Sequence, residues 1–129
     1  SFLKELTLFE RLITRLKYTF LKRPRVFEYS KVIKFFSGKE DANENVYPSV
    51  FPNWDHSPRS GREGLVFNNS NPKLFDSHLK AVVSSVSNKP ADKKIIFLKS
   101  WNEWAEGNYM EPDMKFGLKY LETLNKNVK

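Results

Sequence analysis

A chain of 129 residues, 40% hydrophobic and 29% charged, carries enough apolar material for one packed domain and is too hydrophobic to stay disordered. The absence of cysteine excludes disulfides and thiolate metal centres, and the two histidines, His56 and His78, are too far apart in sequence to suggest a histidine-rich metal site. The formal charge of +7 resides in residues 1–39, with ten Lys/Arg against three Glu, while residues 40–129 balance to zero.

Such a basic segment can lie against anionic headgroups or phosphates, or it can be a solvated helix face. No nucleic-acid motif accompanies the charge, so nucleic acid is not expected as a partner. No apolar run approaches the roughly 20 residues of a membrane span, and no signal peptide is visible.

In chain order, Phe2, Leu6, Phe9, Ile13, Leu16 and Phe20 alternate four- and three-residue steps, predicting an amphipathic helix over 2–21 that Pro24 ends. A second helix is predicted from Val26 to Phe36, with Gly38 as its C-cap. Val46–Phe51 reads as a strand, although Pro48 removes one ladder donor. The loop Pro52-Asn53-Trp54-Asp55-His56-Ser57-Pro58-Arg59 follows it, then a Gly/Asn-rich connection over 60–71.

Asn71-Pro72 is an N-cap and first-turn pair opening a helix over 72–86, with Phe75, Leu79, Val82, Val83 and Val86 on its buried face and His78 expected at the surface. The four apolar residues Ile95–Leu98 within 94–100 read as a strand covered on both faces. A last helix is predicted over 114–125. The order α-α-β-α-β-α points to βαβ units and a parallel sheet.

Directly after the second strand comes Trp101-Asn102-Glu103-Trp104-Ala105-Glu106-Gly107-Asn108-Tyr109. Two carboxylates three apart share one face if the backbone turns helically, about 5–6 Å apart at Cβ. Paired acids resist joint ionisation, so one can hold a proton, and flat aromatic rings beside them suit a carbohydrate site. The other reading is a tryptophan-anchored corner with two solvated glutamates. In parallel α/β folds ligands meet the carboxyl ends of strands. Both loops, 54–59 and 101–109, follow a strand, so a crossover helix over 72–86 would make them face one another. Asp55 with Arg59 then offers either a phosphate or sugar contact or an ion pair bracing its loop.

Val50-x-Pro52-x-Trp54-Asp55-x-x-Pro58-Arg59, followed by Trp101-Asn102-Glu103-Trp104-Ala105-Glu106-Gly107-Asn108-Tyr109-x-Glu111-Pro112-Asp113, resembles the WbsX-type family. These are glycosyltransferases predicted from bacterial O-antigen and capsule gene clusters, similar in turn to glycoside hydrolase family 99. The resemblance covers roughly residues 46–122. It implies the C-terminal portion of a (β/α)8 TIM-like barrel: residues 1–45 as a basic helical segment before the penultimate strand, and 46–129 as the last two βα units. It further implies Glu103 as the base assisting the sugar's own 2-hydroxyl and Glu106 as acid/base at the glycosidic oxygen. Trp54, Asp55, Arg59, Trp101, Asn102 and Trp104 become substrate contacts. Asn53 and His56-Ser57 depart from the pattern, where Gly and Asn-Thr are more usual.

A whole barrel takes about 250 residues, so the chain is expected to be a piece of a longer protein or to associate as two copies. The implied function is glycosyl transfer in surface-polysaccharide synthesis. The implied partners are a carbohydrate substrate, a nucleotide sugar and a lipid-linked acceptor, with peripheral membrane contact through residues 1–39 at the cytoplasmic face. Hydrolysis of an α-linked glycan and a non-catalytic glycan-binding or structural fragment are the alternatives. No cofactor is expected and, without an Asp-x-Asp motif, no metal.

Overall fold

A computed structural model describes residues 7–128. The first helix, α1 (Leu8–Leu21), therefore begins among described residues, and the part predicted over 2–6 lies outside them. Thr7 and Glu10 form a reciprocal capping box: the Thr7 hydroxyl accepts from the Glu10 amide at 3.2 Å, and the Glu10 carboxylate accepts from the Thr7 amide at 3.1 Å. The helix ends at Lys22, in the left-handed region at φ 50°, two residues before Pro24. Its apolar stripe is present but uncovered, with Leu8, Phe9, Leu12, Leu16 and Phe20 exposed. Polar contacts tether it, Lys31 to Glu10 at 2.6 Å and the Tyr18 hydroxyl to Glu63.

The predicted second helix is corrected at its start. Arg25–Glu28 is a strand, β1, and only Tyr29–Val32 (α2) is α-helical, continued by a 3-10 turn over Ile33–Phe35. β1 pairs in parallel with β4 (Leu65–Asn68), Val26 opposite Val66 and Phe27 opposite Phe67. Val26-Phe27 fits strand and helix patterns equally in sequence; the partner that decides between them lies about forty residues away, within the presumed connection 60–71. Gly38 is extended at φ −146° and opens a 3-10 turn over Lys39–Ala42, so it is not a helix C-cap.

The two predicted strands shrink to short pieces but keep their relation. β2 (Ser49–Val50) and β5 (Phe97–Leu98) pair in parallel, Ser49 opposite Phe97 and Val50 opposite Leu98. The crossover between them carries α4 (Pro72–Val86), capped by Asn71, whose side-chain oxygen accepts from the Leu74 amide at 3.0 Å. Between β2 and α4 the chain forms β3 (Trp54–Asp55), the short α3 (Ser57–Ser60) and β4, with β3 antiparallel to β4. After β5 come the antiparallel β6 (Asn102–Glu103) and β7 (Asn108–Tyr109), then α5 (Lys119–Asn127). The fold is mixed α/β with parallel strand pairs and packed helices; among the described residues the strands do not close into a barrel.

The expectation that β5 is covered on both faces is also corrected. Ile96 and Leu98 pack on the cluster of Val50, Phe75, Leu79, Met110 and Tyr120, but Ile95 is 44% exposed and Phe97 58%. Strand alternation puts these two on the opposite face. A second cluster joins Phe27, Tyr29, Val32, Ile33 and Phe51. Within it the buried Tyr29 hydroxyl donates to the Phe51 carbonyl at 2.6 Å, and burial raises its pKa.

His78 is buried rather than a surface residue, at 1% exposure. It lies on the stripe of Phe75, Leu79 and Val82, and its ring sits edge-on to Phe51 at 5.1 Å and Tyr29 at 6.4 Å between centroids. Burial disfavours the charged ring and lowers its pKa to about 4. A folded pKa below the unfolded one means the unfolded chain takes the proton first. Stability is therefore full above about pH 6.5 and falls as the pH drops toward 4, by roughly 3 kcal/mol at most. Denaturant unfolding at pH 7.5 and 4.5 should show this loss, and His78→Leu should remove most of it; an unchanged pH dependence in the variant would refute the assignment.

Candidate functional site at the strand ends

The parallel pairing of β2 and β5 places the segments that follow them side by side. The Phe97 amide donates to the Pro48 carbonyl and the Lys99 amide to the Val50 carbonyl, both at 2.9 Å. Beyond these bonds the segments lock through Asn53 and Asn108, both buried. The Asn108 side chain donates to the Asn53 carbonyl at 2.5 Å, and the Asn53 side-chain oxygen accepts from the Tyr109 amide at 2.9 Å. Gly107, at φ 48°, lies flush against Asp55, where a Cβ would stand 2.8 Å from the Asp55 Cβ. A side chain at 107 would push the loops apart.

Glu103 closes β6 and Glu106 ends the 3-10 turn Trp104–Glu106. The i and i+3 positions of such a turn eclipse one another, so both carboxylates emerge on one side. The Ser100 hydroxyl, donating to the Asn108 carbonyl at 2.6 Å, accepts from the Glu103 amide at 3.2 Å and steadies the turn. Arg59 reaches across from α3 and spans the pair, Nη1 to Glu106 Oε1 at 3.0 Å and Nη2 to Glu103 Oε1 at 3.4 Å. Lys99 Nζ lies 3.5 Å from Glu106 Oε2 and His56 Nε2 3.7 Å from Glu106 Oε1. The Glu106 side chain is only 14% exposed, so it faces three nitrogen-bearing side chains with little water between.

Among the predicted site residues, then, Glu103, Glu106 and Arg59 meet directly. Trp54 joins them through Lys99, whose ammonium lies 4.9 Å from its ring centre, a cation–π distance. Asp55 is not paired with Arg59. Its Oδ1 accepts from the Ser57 amide at 2.9 Å and the Ser57 hydroxyl at 2.5 Å, turning the chain into α3 and aiming Arg59 away from its own loop. Trp104 stacks on Tyr109 at 3.8 Å and donates to Glu111 at 2.6 Å, while Tyr109 donates to Asp113 at 3.1 Å, so this group braces the loop before α5. Trp101 and Asn102 are exposed, and among the described residues no hydrogen bond ties their side chains to the carboxylates.

Sequence reasoning missed Lys99 and assigned His56 no role. The signal for Lys99 was available: it follows Ile95 and Phe97 in two-residue steps and so projects from the same strand face. Among the described residues no group of His, Asp and Glu is arranged to hold a metal ion, and no helix is long and apolar enough to cross a membrane.

Paired carboxylates bridged by arginine, beside indoles at the ends of parallel strands, define a strand-end site on an α/β scaffold. The chain belongs to the WbsX glycosyltransferase family, whose model, described as Glycosyltransferase WbsX, matches residues 3–124. It is similar to the uncharacterized protein WxcX of Xanthomonas campestris pv. campestris strain B100, 30% identical over 98 residues, which are 75% of this chain and 14% of that protein. WxcX of a second strain is 35% identical over 78 residues, 60% of this chain and 11% of that relative. The chain thus spans about a seventh or less of the length of these relatives. No solved structure matches it.

Asn53 holds the two loops together by its buried amide, and Asn53→Ala should cost about 1–3 kcal/mol by leaving the Tyr109 amide without its acceptor. Hydrogen exchange at the Tyr109 amide should accelerate with it; unchanged exchange would show that the loops hold without this bond.

Proposed function

We propose that this chain supplies part of the active centre of a polysaccharide-building glycosyltransferase, with Glu103 and Glu106 at the reacting bond. The observation that carries the reading is that the two glutamates, Arg59, Lys99 and His56 converge from two loops at the ends of the adjacent parallel strands β2 and β5. Family membership supports sugar chemistry.

In this reading Glu103 accepts the proton of the sugar 2-hydroxyl as that oxygen closes on the anomeric carbon. Glu106 exchanges a proton with the oxygen that leaves or attacks. If the donor is a nucleotide sugar, the leaving diphosphate needs charge neutralisation more than a proton, and Arg59, Lys99 and His56 stand where they can supply it. Trp54 offers its ring face to a pyranose, and Trp101, Asn102 and Trp104 form the outer contacts. Asp55 acts by shaping the loop that presents Arg59.

The strand pair and α4 belong, on this proposal, to the last βα units of a (β/α)8 barrel of the glycoside hydrolase family 99 type. The alternation on β5 supports this: Ile96 and Leu98 pack toward α4, while Ile95 and Phe97 face the side that a barrel interior would occupy. The basic, apolar-faced α1 suits contact with an anionic membrane carrying a lipid-linked acceptor at the cytoplasmic side, in the assembly of O-antigen or capsule.

The test uses the full-length protein with nucleotide-sugar donors and glycan acceptors, following both extended product and released free sugar. Glu103→Gln and Glu106→Gln should each lower turnover by about 10²–10⁴-fold, the usual weight of a positioned acid or base. Wild-type rates in both variants would remove the carboxylates from the chemistry. Free sugar without extended product would identify a hydrolase.

A further inference from the structure

A cleft of about 690 Å³ lies between α1 and β1. Arg11, Thr14, Arg15, Tyr18 and Thr19 form one wall, and their spacing of three and four residues makes them a single face of α1. Arg25 and the buried Phe27, two apart on β1 and so on one face of the strand, form the other wall. We propose that this cleft binds the phosphate group of a membrane lipid, held by the guanidinium groups of Arg11, Arg15 and Arg25. The proposal rests on the reading of α1 as a membrane-contacting helix and gives that contact a defined site.

Three cations line this cleft without a counter-charge. Among the described residues no carboxylate forms an ion pair with Arg11, Arg15 or Arg25, and the two acids beside α1 are occupied. Glu10 holds Lys31 at 2.6 Å, while Glu63 accepts from the Tyr18 hydroxyl and pairs with Arg62 at 3.3 Å. Like charges around one cleft set up a positive potential that a bound anion relieves. Arginine suits phosphate in particular, because its planar fork donates two parallel hydrogen bonds to oxygens of one group. Thr14 and Thr19 add hydroxyls to the same wall.

The lipid source follows from what borders the cleft. Leu8, Phe9, Leu12, Leu16 and Phe20 form an exposed apolar stripe on the same helix. At about 3.6 residues per turn, the two stripes are centred roughly a third of a turn apart. A helix laid with its apolar stripe in a bilayer surface therefore carries the cleft along its flank, at the level of the headgroups. The arginine stems lie along that boundary with their charged ends toward phosphate, as long basic side chains do at interfaces. A soluble phosphate would use the arginines and leave the stripe uncovered. The ties from Tyr18 to Glu63 and from Lys31 to Glu10 hold α1 beside β1, so both walls stand ready for the ligand.

The test has a vesicle arm and a soluble arm. The full chain is floated with vesicles of phosphatidylcholine alone and of phosphatidylcholine mixed with phosphatidic acid. Separately it is titrated with inorganic pyrophosphate, following the arginine Nε–H signals by NMR. The chain should float with the phosphatidic acid vesicles, and pyrophosphate should shift the Arg15 and Arg25 signals saturably. Arg15→Lys and Arg25→Lys keep the charge but lose the fork, and each should weaken both kinds of binding by about fivefold. Lys17→Arg, outside the cleft, should bind as the parent does. Leu12→Ser with Leu16→Ser should abolish flotation and leave pyrophosphate binding intact.

A parent chain that floats with neither vesicle overturns the membrane reading and the proposal with it. Flotation unchanged in both arginine-to-lysine variants overturns the cleft alone and leaves membrane contact standing. Saturable pyrophosphate binding without flotation would put a soluble phosphate in the cleft and overturn the lipid as its source.

Discussion

The parallel hydrogen bonding of β2 to β5 is the constraint on which the rim depends. Two bonds flank the paired residues, Phe97 to Pro48 and Lys99 to Val50, and they help align two segments almost fifty residues apart in sequence. α4 crosses between them and buries Phe75, Leu79 and Val82. Its packing holds the strands in the register that lets Asn53 meet Asn108 and Tyr109. From that clamp follow the Gly107–Asp55 contact, the turn presenting Glu103 and Glu106, and the reach of Arg59.

The charge network at this rim is a positioning device more than a source of stability. Arg59 and Lys99 are both about half-exposed, and ion pairs with one solvated partner typically contribute about 0.2–1 kcal/mol. What the arginine does is couple a loop after β2 to carboxylates after β5, using a planar fork suited to two oxygens at once. Glu106 is the more enclosed carboxylate and collects Arg59, Lys99 and His56, whereas among the described residues the Glu103 carboxylate meets Arg59 alone. Two chemically identical side chains are thereby given different surroundings, the condition under which a carboxylate pair divides roles.

The apolar surface left open is patterned. β5 buries Ile96 and Leu98 and exposes Ile95 and Phe97, and α1 exposes Leu8, Phe9, Leu12, Leu16 and Phe20 along one stripe. Isolated apolar residues at a surface need no explanation, but alternating or helically spaced ones mark faces built to be covered. The proposed barrel would cover the β5 face, and the headgroup region of a membrane would suit the α1 stripe beside its arginines and lysines.

Local signals in the chain were sufficient for the elements whose determinants are local. Asn71-Pro72 and the stripe after it specify α4 from end to end. The two chemical motifs announce a paired-carboxylate rim, and the strand–helix–strand order predicts that their loops face each other. His78 was legible as well, since it falls on the stripe of Phe75, Leu79 and Val82, but a polar name obscured the periodicity. The tertiary structure alone decided the rest. Val26-Phe27 became strand because Val66-Phe67 offered a ladder; Asp55 turned to Ser57 instead of Arg59; and Lys99 and His56 were drawn to Glu106. Each of these depends on a partner distant in sequence, and a pairing between two segments is a property of neither one read by itself.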